Sequence, residues 1–242
     1  MTFANLNEGR RYRRPFFLGL MALSGALLPS PAHAANQSYT ITSFESIRLD
    51  APVRVEIVTG TGVSAKGEGD RVLLDRIDMQ VSGRLLTIRL RPGGVISGKA
   101  TLRLSTGAIA RATGNGGGVL AIARMKGQDG QLQVSGNGLL SVEDIQLDRL
   151  RLLMAGGGMM TLAGKAAQID ARLVGPGKIA ADSLTGKNIT LVNDGAGSAE
   201  MTALVSASVT ATGTGDTIVR GKAACKIKQL GSGRLECGGK VY

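Results

Sequence analysis

The sequence predicts an all-β protein folded as a parallel β-solenoid, a coil whose successive turns stack on one another. Gly-x-Gly triplets recur at intervals of 18 to 20 residues. The residues that flank them are apolar at every second position, which is the period of a β-strand and not of a helix. Glycine supplies 36 of the 242 residues, about twice its usual share of ~7%. Each repeat is therefore expected to contain a strand, a glycine corner, a second strand and a variable connection.

The corners are assigned to the first and third glycines of seven triplets. A sharp bend takes the backbone to positive φ or close to the neighbouring turn, and glycine permits both. The predicted corner glycines are Gly116, Gly118, Gly136, Gly138, Gly156, Gly158, Gly175, Gly177, Gly195, Gly197, Gly213, Gly215, Gly231 and Gly233.

The apolar positions on both sides of each corner are predicted to form the core. Around Gly195, for example, Ile189 and Leu191 precede the corner by six and four residues, and Ala199 and Met201 follow it by four and six. Such short strands cannot be stable alone, but stacking equivalent strands buries their apolar sides in one continuous core.

The chain before the triplets is less regular. Residues 35–105 alternate as strands do, and a single helical turn is expected at Asp70 to Ile77. Terminal units of a solenoid differ from the others because they cover the core and the sheet edges. We therefore predict one domain over 35–242, with an irregular N-terminal cap at 35–105 and the regular repeats at 106–242.

Residues 1–34 have the pattern of a secretory signal peptide. A basic segment at 10–14 precedes an apolar run from Phe16 to Leu28, and Ala32-His33-Ala34 forms an A-x-A site. Cleavage is expected between Ala34 and Ala35. The apolar run is too short to span a membrane, which needs about 20 residues, and no later stretch approaches that length. The sequence therefore predicts an exported chain without a transmembrane segment.

The composition of 35–242 excludes several functions. This part has no histidine or tryptophan, and its aromatic residues are Tyr39, Phe44 and Tyr242; its 25 basic and 17 acidic residues give a net charge of +8. Imidazole catalysis and histidine-ligated metals are excluded, and base stacking has almost no aromatic platform. We expect no cofactor, no metal and no nucleic-acid partner.

A carbohydrate-active enzyme, a lyase or hydrolase of acidic polysaccharides, is the main alternative. Its site would need two or three carboxylates on one face. Glu200 and Glu236 share an offset but lie two repeats apart, and the same holds for Glu143 and Asp182.

Two further carboxylates, Asp194 next to the corner at Gly195 and Asp216, can still come together through the variable connections. Shared offsets predict ion pairs between Arg151 and Asp170 and between Asp216 and Arg234. With no acidic ladder, the chain is expected not to be an enzyme.

Cys225 and Cys237 are the two cysteines, and they lie six residues before and six after Gly231. An even number in an exported chain favours a disulfide. Two buried free thiols are the alternative, if their Cα atoms lie too far apart across the core. A metal site is disfavoured because the sulfurs lack nitrogen partners.

Segments such as "SFESIRLDAPVRVEI", the repeated "VSGNG" and "LVGPG", and the closing "GSGRLECGGKVY" resemble the GIN domain family, the "putative auto-transporter adhesin" head domain or DUF2807. The resemblance covers about residues 43–242. It implies a right-handed parallel β-helix and an adhesin-like role, and it brings no established catalytic residues.

The functional hypothesis is an exported, non-enzymatic interaction module in the periplasm or at the cell surface. Its binding surface is expected on a face of the coil that carries Thr190, Thr210, Thr212 and Lys228. The expected partner is an envelope polysaccharide or a surface protein. A purely structural envelope protein stays open as a second alternative beside the enzyme.

Overall fold

The computed structural model describes residues 35–94 and 98–242, so the predicted signal peptide, including Ala34, lies outside the described residues. The predicted fold class is confirmed: the described chain is a β-solenoid of about six stacked parallel turns. Its strands join in one continuous sheet. The elements are β1 (Ala35–Ser38), β2 (Ser46–Leu49), β3 (Arg54–Thr59), β4 (Ser64–Gly69), α1 (Arg71–Arg76), β5 (Ile77–Ser82), β6 (Leu85–Leu90), β7 (Ala100–Thr106), β8 (Arg111–Asn115), β9 (Val119–Ser135), β10 (Leu139–Ala155), β11 (Met159–Val174), β12 (Lys178–Asn193), β13 (Ser198–Ala211), β14 (Thr217–Arg220), β15 (Ala224–Gln229), β16 (Leu235–Cys237) and β17 (Lys240–Val241).

The regular turns stack in parallel and are in register on the two sides that flank each corner. Strand β10 pairs with β9 on one side and with β11 on the other, so Leu152 lies beside Leu132 and Ala171. All three side chains are buried. Equivalent inward positions of successive turns thus form columns that fill the core.

Each regular turn has three sides, where the sequence predicted two strands and a variable connection. In β10 the inward alternation is broken by steps of three residues, from Val142 to Ile145 and from Leu147 to Leu150, and all four side chains are buried. A step of three keeps the side chains inward only if the chain bends there. The connection is therefore a third strand segment, and a predicted connection such as Thr185-Gly186 belongs to β12.

The glycine triplets lie at the sharp bends, and two different constraints act there. Gly156 has φ +114°, in the left-handed region that disfavours residues with a Cβ atom. Gly213 is not left-handed, but a Cβ atom added to it would lie 1.8 Å from the carbonyl oxygen of Gly195 in the turn below. Close approach between backbones thus excludes a side chain at Gly213.

The N-terminal cap is built by a detour of the chain. β2 pairs in parallel with β8 and also with β6, and β3 pairs in the same way with β9 and β7. Strands β4 to β7 therefore leave the first turn and return beneath it. β4 and β5 then pair antiparallel with β7 and β6, and β1 pairs antiparallel with β4.

The helical turn expected at Asp70 to Ile77 is present as α1. The Asp70 side chain caps it by accepting a hydrogen bond of 2.9 Å from the backbone N–H of Leu73. Leu73 and Leu74 are buried, and α1 contacts β1 and β4. The helix thus covers the apolar end of the stack.

The C-terminal end also closes with antiparallel pairing. β17 pairs with β16 through Gly238 and Gly239, whose φ angles of +60° and +78° suit a tight hairpin turn. Among the described strands, β15 pairs with β13 alone, so its other edge is open. Lys226 and Lys228 lie on this strand, and edge lysines oppose unwanted strand pairing.

Candidate functional site

The outward side chains of the strands before the glycine corners form a surface that we call the ladder face. It consists of residues five and three positions before each corner, aligned from turn to turn by the parallel pairing. One column contains Arg111, Gln131, Arg151, Asp170, Thr190, Ser208 and Lys226, and the other contains Arg48, Thr113, Gln133, Leu153, Arg172, Val192, Thr210 and Lys228.

The four side chains predicted for the binding face lie on this surface or at its border. Thr190 lies beside Ser208 in one column, and Thr210 lies beside Lys228 in the other. Thr212 directly precedes the corner, and its hydroxyl donates to Asp194 Oδ1 at 2.8 Å.

One end of the ladder face carries an arginine-rich groove of about 500 Å³. Arg111, Gln131 and Arg151 line it from three successive turns, and Arg149 lines its rim. This groove is not among the sites predicted from the sequence. The shared offset of these three residues, five positions before their triplets, was the available signal.

A second groove of about 320 Å³ adjoins the first, since Gln131 and Arg151 line both. Leu153, Arg172 and Val192 cross it in register. The guanidinium of Arg172 donates to Asp194 Oδ2 at 2.7 Å, so it is held across the face and separates the two apolar side chains.

A larger groove of about 840 Å³ lies on the third side of the coil. Its lining includes Lys165 and Lys187, but also the carboxylates of Asp144 and Asp148. Two cations and two anions balance there, whereas the arginine-rich groove has an excess of positive charge. We therefore take the ladder face as the candidate site.

The two ion pairs predicted from shared offsets do not form. Both Arg151 and Asp170 are described and lie in register, yet no ion pair joins their side chains. Asp216 Oδ1 accepts the backbone N–H of Arg234 at 3.2 Å, while the guanidinium of Arg234 pairs with Glu236 at 3.0 Å. Shared offsets fix backbone register but leave long, exposed side chains free to choose diagonal partners.

Three of the acidic residues considered for catalysis, Glu200, Asp194 and Glu236, pair with arginines, whereas Glu143 and Asp182 form no ion pair within the described residues. Glu200 pairs with Arg220, and this contact raises the pKa of the arginine, chiefly through the hydrogen bond. Asp194 pairs with Arg172 at 2.7 Å. Glu143 and Asp182 line a groove of about 290 Å³ with Ala163 between them. Within residues 35–94 and 98–242, no cluster of three or more His, Cys, Asp or Glu side chains able to hold a metal ion occurs.

Cys225 and Cys237 form a disulfide, with Cα atoms 6.2 Å apart. Cys225 lies on β15 and Cys237 on β16, so the bond spans the last glycine corner. It ties the open edge strand β15 to the strand that β17 covers.

Asn193 forms a buried polar network that the sequence analysis missed. Its Nδ2 donates to the carbonyl of Gly197 and to the hydroxyl of Thr217, both at 3.0 Å, and its Oδ1 accepts the N–H of Gly195 at 3.3 Å. Gln229 lies two turns later at the same offset, and its Nε2 donates to the carbonyl of Gly233 at 2.8 Å. Amides two positions before a corner thus brace two of the corners from inside.

Tyr39 anchors the N-terminal cap. Its hydroxyl donates to the carbonyl of Leu74 at 2.9 Å. Burial, reinforced by the charge of Asp75, raises the pKa of Tyr39 to about 12.

The six residues of α1 are the longest helix described, and no helix in the described ranges is long and apolar enough to cross a membrane.

Comparison with solved structures identifies the same architecture elsewhere. A crystal structure described as a putative adhesin of Bacteroides fragilis matches with a TM-score of 0.73 and 17% identity, covering 85% of this chain and 97% of that chain. A putative adhesin of Parabacteroides merdae matches with a TM-score of 0.66 and 18% identity, covering 85% and 96%. A protein of Parabacteroides distasonis described as a putative lipid binding protein matches with a TM-score of 0.66 and 14% identity, covering 85% and 97%. Likeness at these identities shows the fold alone.

No curated protein sequence matches this chain. The model of one family, described as "putative auto-transporter adhesin, head GIN domain", matches residues 43–223. The match covers well over half of the chain and stops before the disulfide. The chain therefore belongs to the GIN domain family, DUF2807.

Proposed function

We propose that this chain is an exported, non-enzymatic interaction module that contacts an envelope polysaccharide or a surface protein through the ladder face. The observation that carries the proposal is the alignment of outward polar and charged side chains in two columns across successive turns. Such columns present a repeating set of donors and charges to an extended partner.

Export to the periplasm or the cell surface is part of the proposal. The pattern at 1–34 supports it, as does the disulfide between Cys225 and Cys237, because such bonds persist in oxidising compartments. The adhesin description of the family agrees with a surface location.

The absence of catalysis is also proposed, on the ground that the carboxylates of Glu200, Asp194 and Glu236 are held by arginines. Incubation with a panel of uronic-acid polymers tests it. No release of reducing ends or unsaturated products is expected, and steady release would establish the alternative enzyme.

The binding proposal is tested by charge reversal on the ladder face. Lys226→Glu/Lys228→Glu is compared with Arg54→Glu/Lys178→Glu, which makes the same change of charge in the outward column after the corners. All four side chains are exposed. Capture of envelope polysaccharides and proteins by residues 35–242 should fall with the first variant and persist with the second.

Equal capture by both variants and by the unmodified protein would contradict the proposal. Capture that disappears equally in both variants when salt is raised would also contradict the proposal. It would indicate nonspecific attraction between exposed charges, which are screened over about 10 Å at 0.1 M salt. Either result would favour the purely structural alternative.

A further inference from the structure

The arginine-rich groove has two cations that no carboxylate neutralises. Of its two acidic lining residues, Glu45 pairs with Arg84, and Asp129 pairs with Arg149 at 3.0 Å. Arg111 Nε donates to the neutral hydroxyl of the buried Ser46 at 3.0 Å. Arg151, within the described ranges, makes no ion pair and no side-chain hydrogen bond.

The two free cations are spaced by the solenoid itself. Arg111 and Arg151 occupy one column, two turns apart, with Gln131 in the turn between them. Neighbouring strands lie about 4.8 Å apart, so the two Cα atoms are separated by about 10 Å. The spacing runs along the stacking axis, in the direction in which the ladder face continues.

This arrangement suits a linear polymer with hydroxyl and carboxylate groups. Guanidinium groups bind carboxylates through two parallel hydrogen bonds, and a glutamine amide both donates to and accepts from hydroxyls. Beyond the groove the same column continues with Asp170, Thr190, Ser208 and Lys226. The carboxylate of Asp170 repels a polyanion, so the bound carboxylates are expected at Arg111 and Arg151 and not further along the column.

We propose that the groove formed by Arg111, Gln131 and Arg151 binds a carboxylate-bearing polysaccharide, a polyuronate, along the stacking axis. This inference names the ligand class of the ladder face and so rests on the proposed function. An anionic lipid fits less well, because Arg172 separates Leu153 from Val192 and leaves no continuous apolar strip for an acyl chain.

Titration with polygalacturonate tests the proposal, with fully methyl-esterified polygalacturonate and anionic phospholipid vesicles as comparison probes. Arg111→Gln/Arg151→Gln is measured beside Arg54→Gln/Lys178→Gln, which removes the same charge from the outward column after the corners. Because Arg111 contacts Ser46, Arg151→Gln alone is included, and thermal unfolding checks each variant.

The expected result is binding to polygalacturonate but not to its methyl ester. The double variant should weaken binding by roughly a hundredfold or more, since it removes two arginines and the loss of one hydrogen bond to a charged group lowers affinity by about tenfold or more. Arg151→Gln should produce part of that loss, and the matched control should stay within about twofold of the unmodified protein, as expected for exposed charges outside a site.

Equal losses in both double variants would overturn the inference, as would binding to the methyl ester or to vesicles in place of polygalacturonate. Envelope capture separates the two proposals. If capture still depends on Lys226 and Lys228 while polygalacturonate does not bind, the ligand class is wrong and the proposed function stands. If capture is independent of the ladder face, the proposed function fails whatever polygalacturonate does.

Discussion

Asn193 lies in an inward column in which the three preceding turns carry Val134, Met154 and Leu173. It is 1% exposed, and its amide satisfies groups on both sides of the corner at Gly195. A buried polar side chain is tolerated only when its hydrogen bonds are made. Asn193 therefore gives up the apolar packing of its column and gains hydrogen bonds that stabilise the corner.

The network predicts strong coupling between Asn193 and Thr217. Asn193→Leu should cost about 1–3 kcal/mol, because it leaves the buried Thr217 hydroxyl and the Gly197 carbonyl without this donor. In the Asn193→Leu background, Thr217→Val should lower the free energy of unfolding much less than it does in the unmodified protein, because its hydrogen-bond partner Asn193 is already absent. Urea unfolding of the four proteins in the cycle measures the coupling. Simple additivity of the two losses would show that the hydrogen bond contributes nothing.

Tyr39 gives the stability of the cap a predictable response to alkaline pH. Its pKa is about 12 in the folded chain against 10.0 as the ordinary value, so folding favours the protonated phenol. Its contribution is complete below pH 10 and is lost as pH rises through about 12. Tyrosinate also cannot donate to the Leu74 carbonyl.

Tyr39→Phe isolates this effect from other groups that titrate at high pH. The unmodified protein should be the more stable of the two near neutral pH, and the difference should shrink between pH 10 and 12. Denaturant unfolding across this range measures it. A difference that stays constant up to pH 12 would exclude the proposed role of the phenol proton.

The corners change character along the stack. The first glycines of the triplets at Gly116, Gly136, Gly156 and Gly175 have left-handed φ angles, whereas those at 195, 213 and 231 do not. At those later corners, an added Cβ atom would lie 1.8 to 2.1 Å from a carbonyl oxygen of the preceding corner. Early corners thus select glycine for backbone conformation and later corners for close stacking.

A pair of alanine substitutions tests whether glycine is required at a corner because of close backbone stacking or simply because it belongs to a glycine triplet. Gly213→Ala places its Cβ atom against the Gly195 carbonyl oxygen, and the forced backbone shift should cost about 2–3 kcal/mol or more. Gly117→Ala, at the middle of a triplet, has nothing within 4 Å and no left-handed φ, so its effect should stay within about 0.5 kcal/mol. Chemical denaturation of both variants provides the comparison. Similar losses at the two positions would refute the close-stacking explanation.

Antiparallel strands close the parallel stack at both ends, but β15 keeps an open edge within the described chain. The disulfide fixes this strand across a separation of 12 residues. In the chain-entropy model, a ring of this size contributes about 2–4 kcal/mol. The bond therefore compensates for the missing strand partner of β15.

Replacing both cysteines by serine should lower the free energy of unfolding by about 2–4 kcal/mol. Amide exchange should rise most in β15 to β17, because β13 is the one strand that pairs with β15 among the described strands. Denaturant unfolding of the serine variant measures the loss of stability. Hydrogen-exchange mass spectrometry with and without reductant measures the rise in amide exchange. Unchanged exchange in these strands after reduction would mean that packing alone holds the C-terminal end.

At the scale of the whole solenoid, the regular turns were predictable because glycine and apolar periodicity repeat every 18 to 20 residues. The detour of β4 to β7 was not, since β2 pairs with strands about 40 and 65 residues away and nothing periodic marks those contacts. The third side was not predicted, because the buried positions there are separated by steps of three residues, as from Val142 to Ile145, and these steps break the period of two.

The candidate site was predictable only in part. The repeat spacing predicted that Thr190 lies on the binding face. It did not predict Arg111, Gln131 and Arg151 as binding residues, because exposed polar and charged side chains are common in any sequence. Within the described chain, Arg111 and Arg151 are free of ion pairs because Glu45 and Asp129 pair with other arginines. The repeat spacing does not predict which diagonal neighbour a side chain pairs with.

Lysine footprinting of the unmodified protein tests the ladder face most directly. Acylation of Lys226 and Lys228 is compared with that of Lys178, an exposed lysine in the column after the corners, before and after addition of an envelope extract. We predict that Lys226 and Lys228 become protected while Lys178 stays reactive. Equal protection of all three, or protection of Lys178 alone, would contradict a binding role for the ladder face.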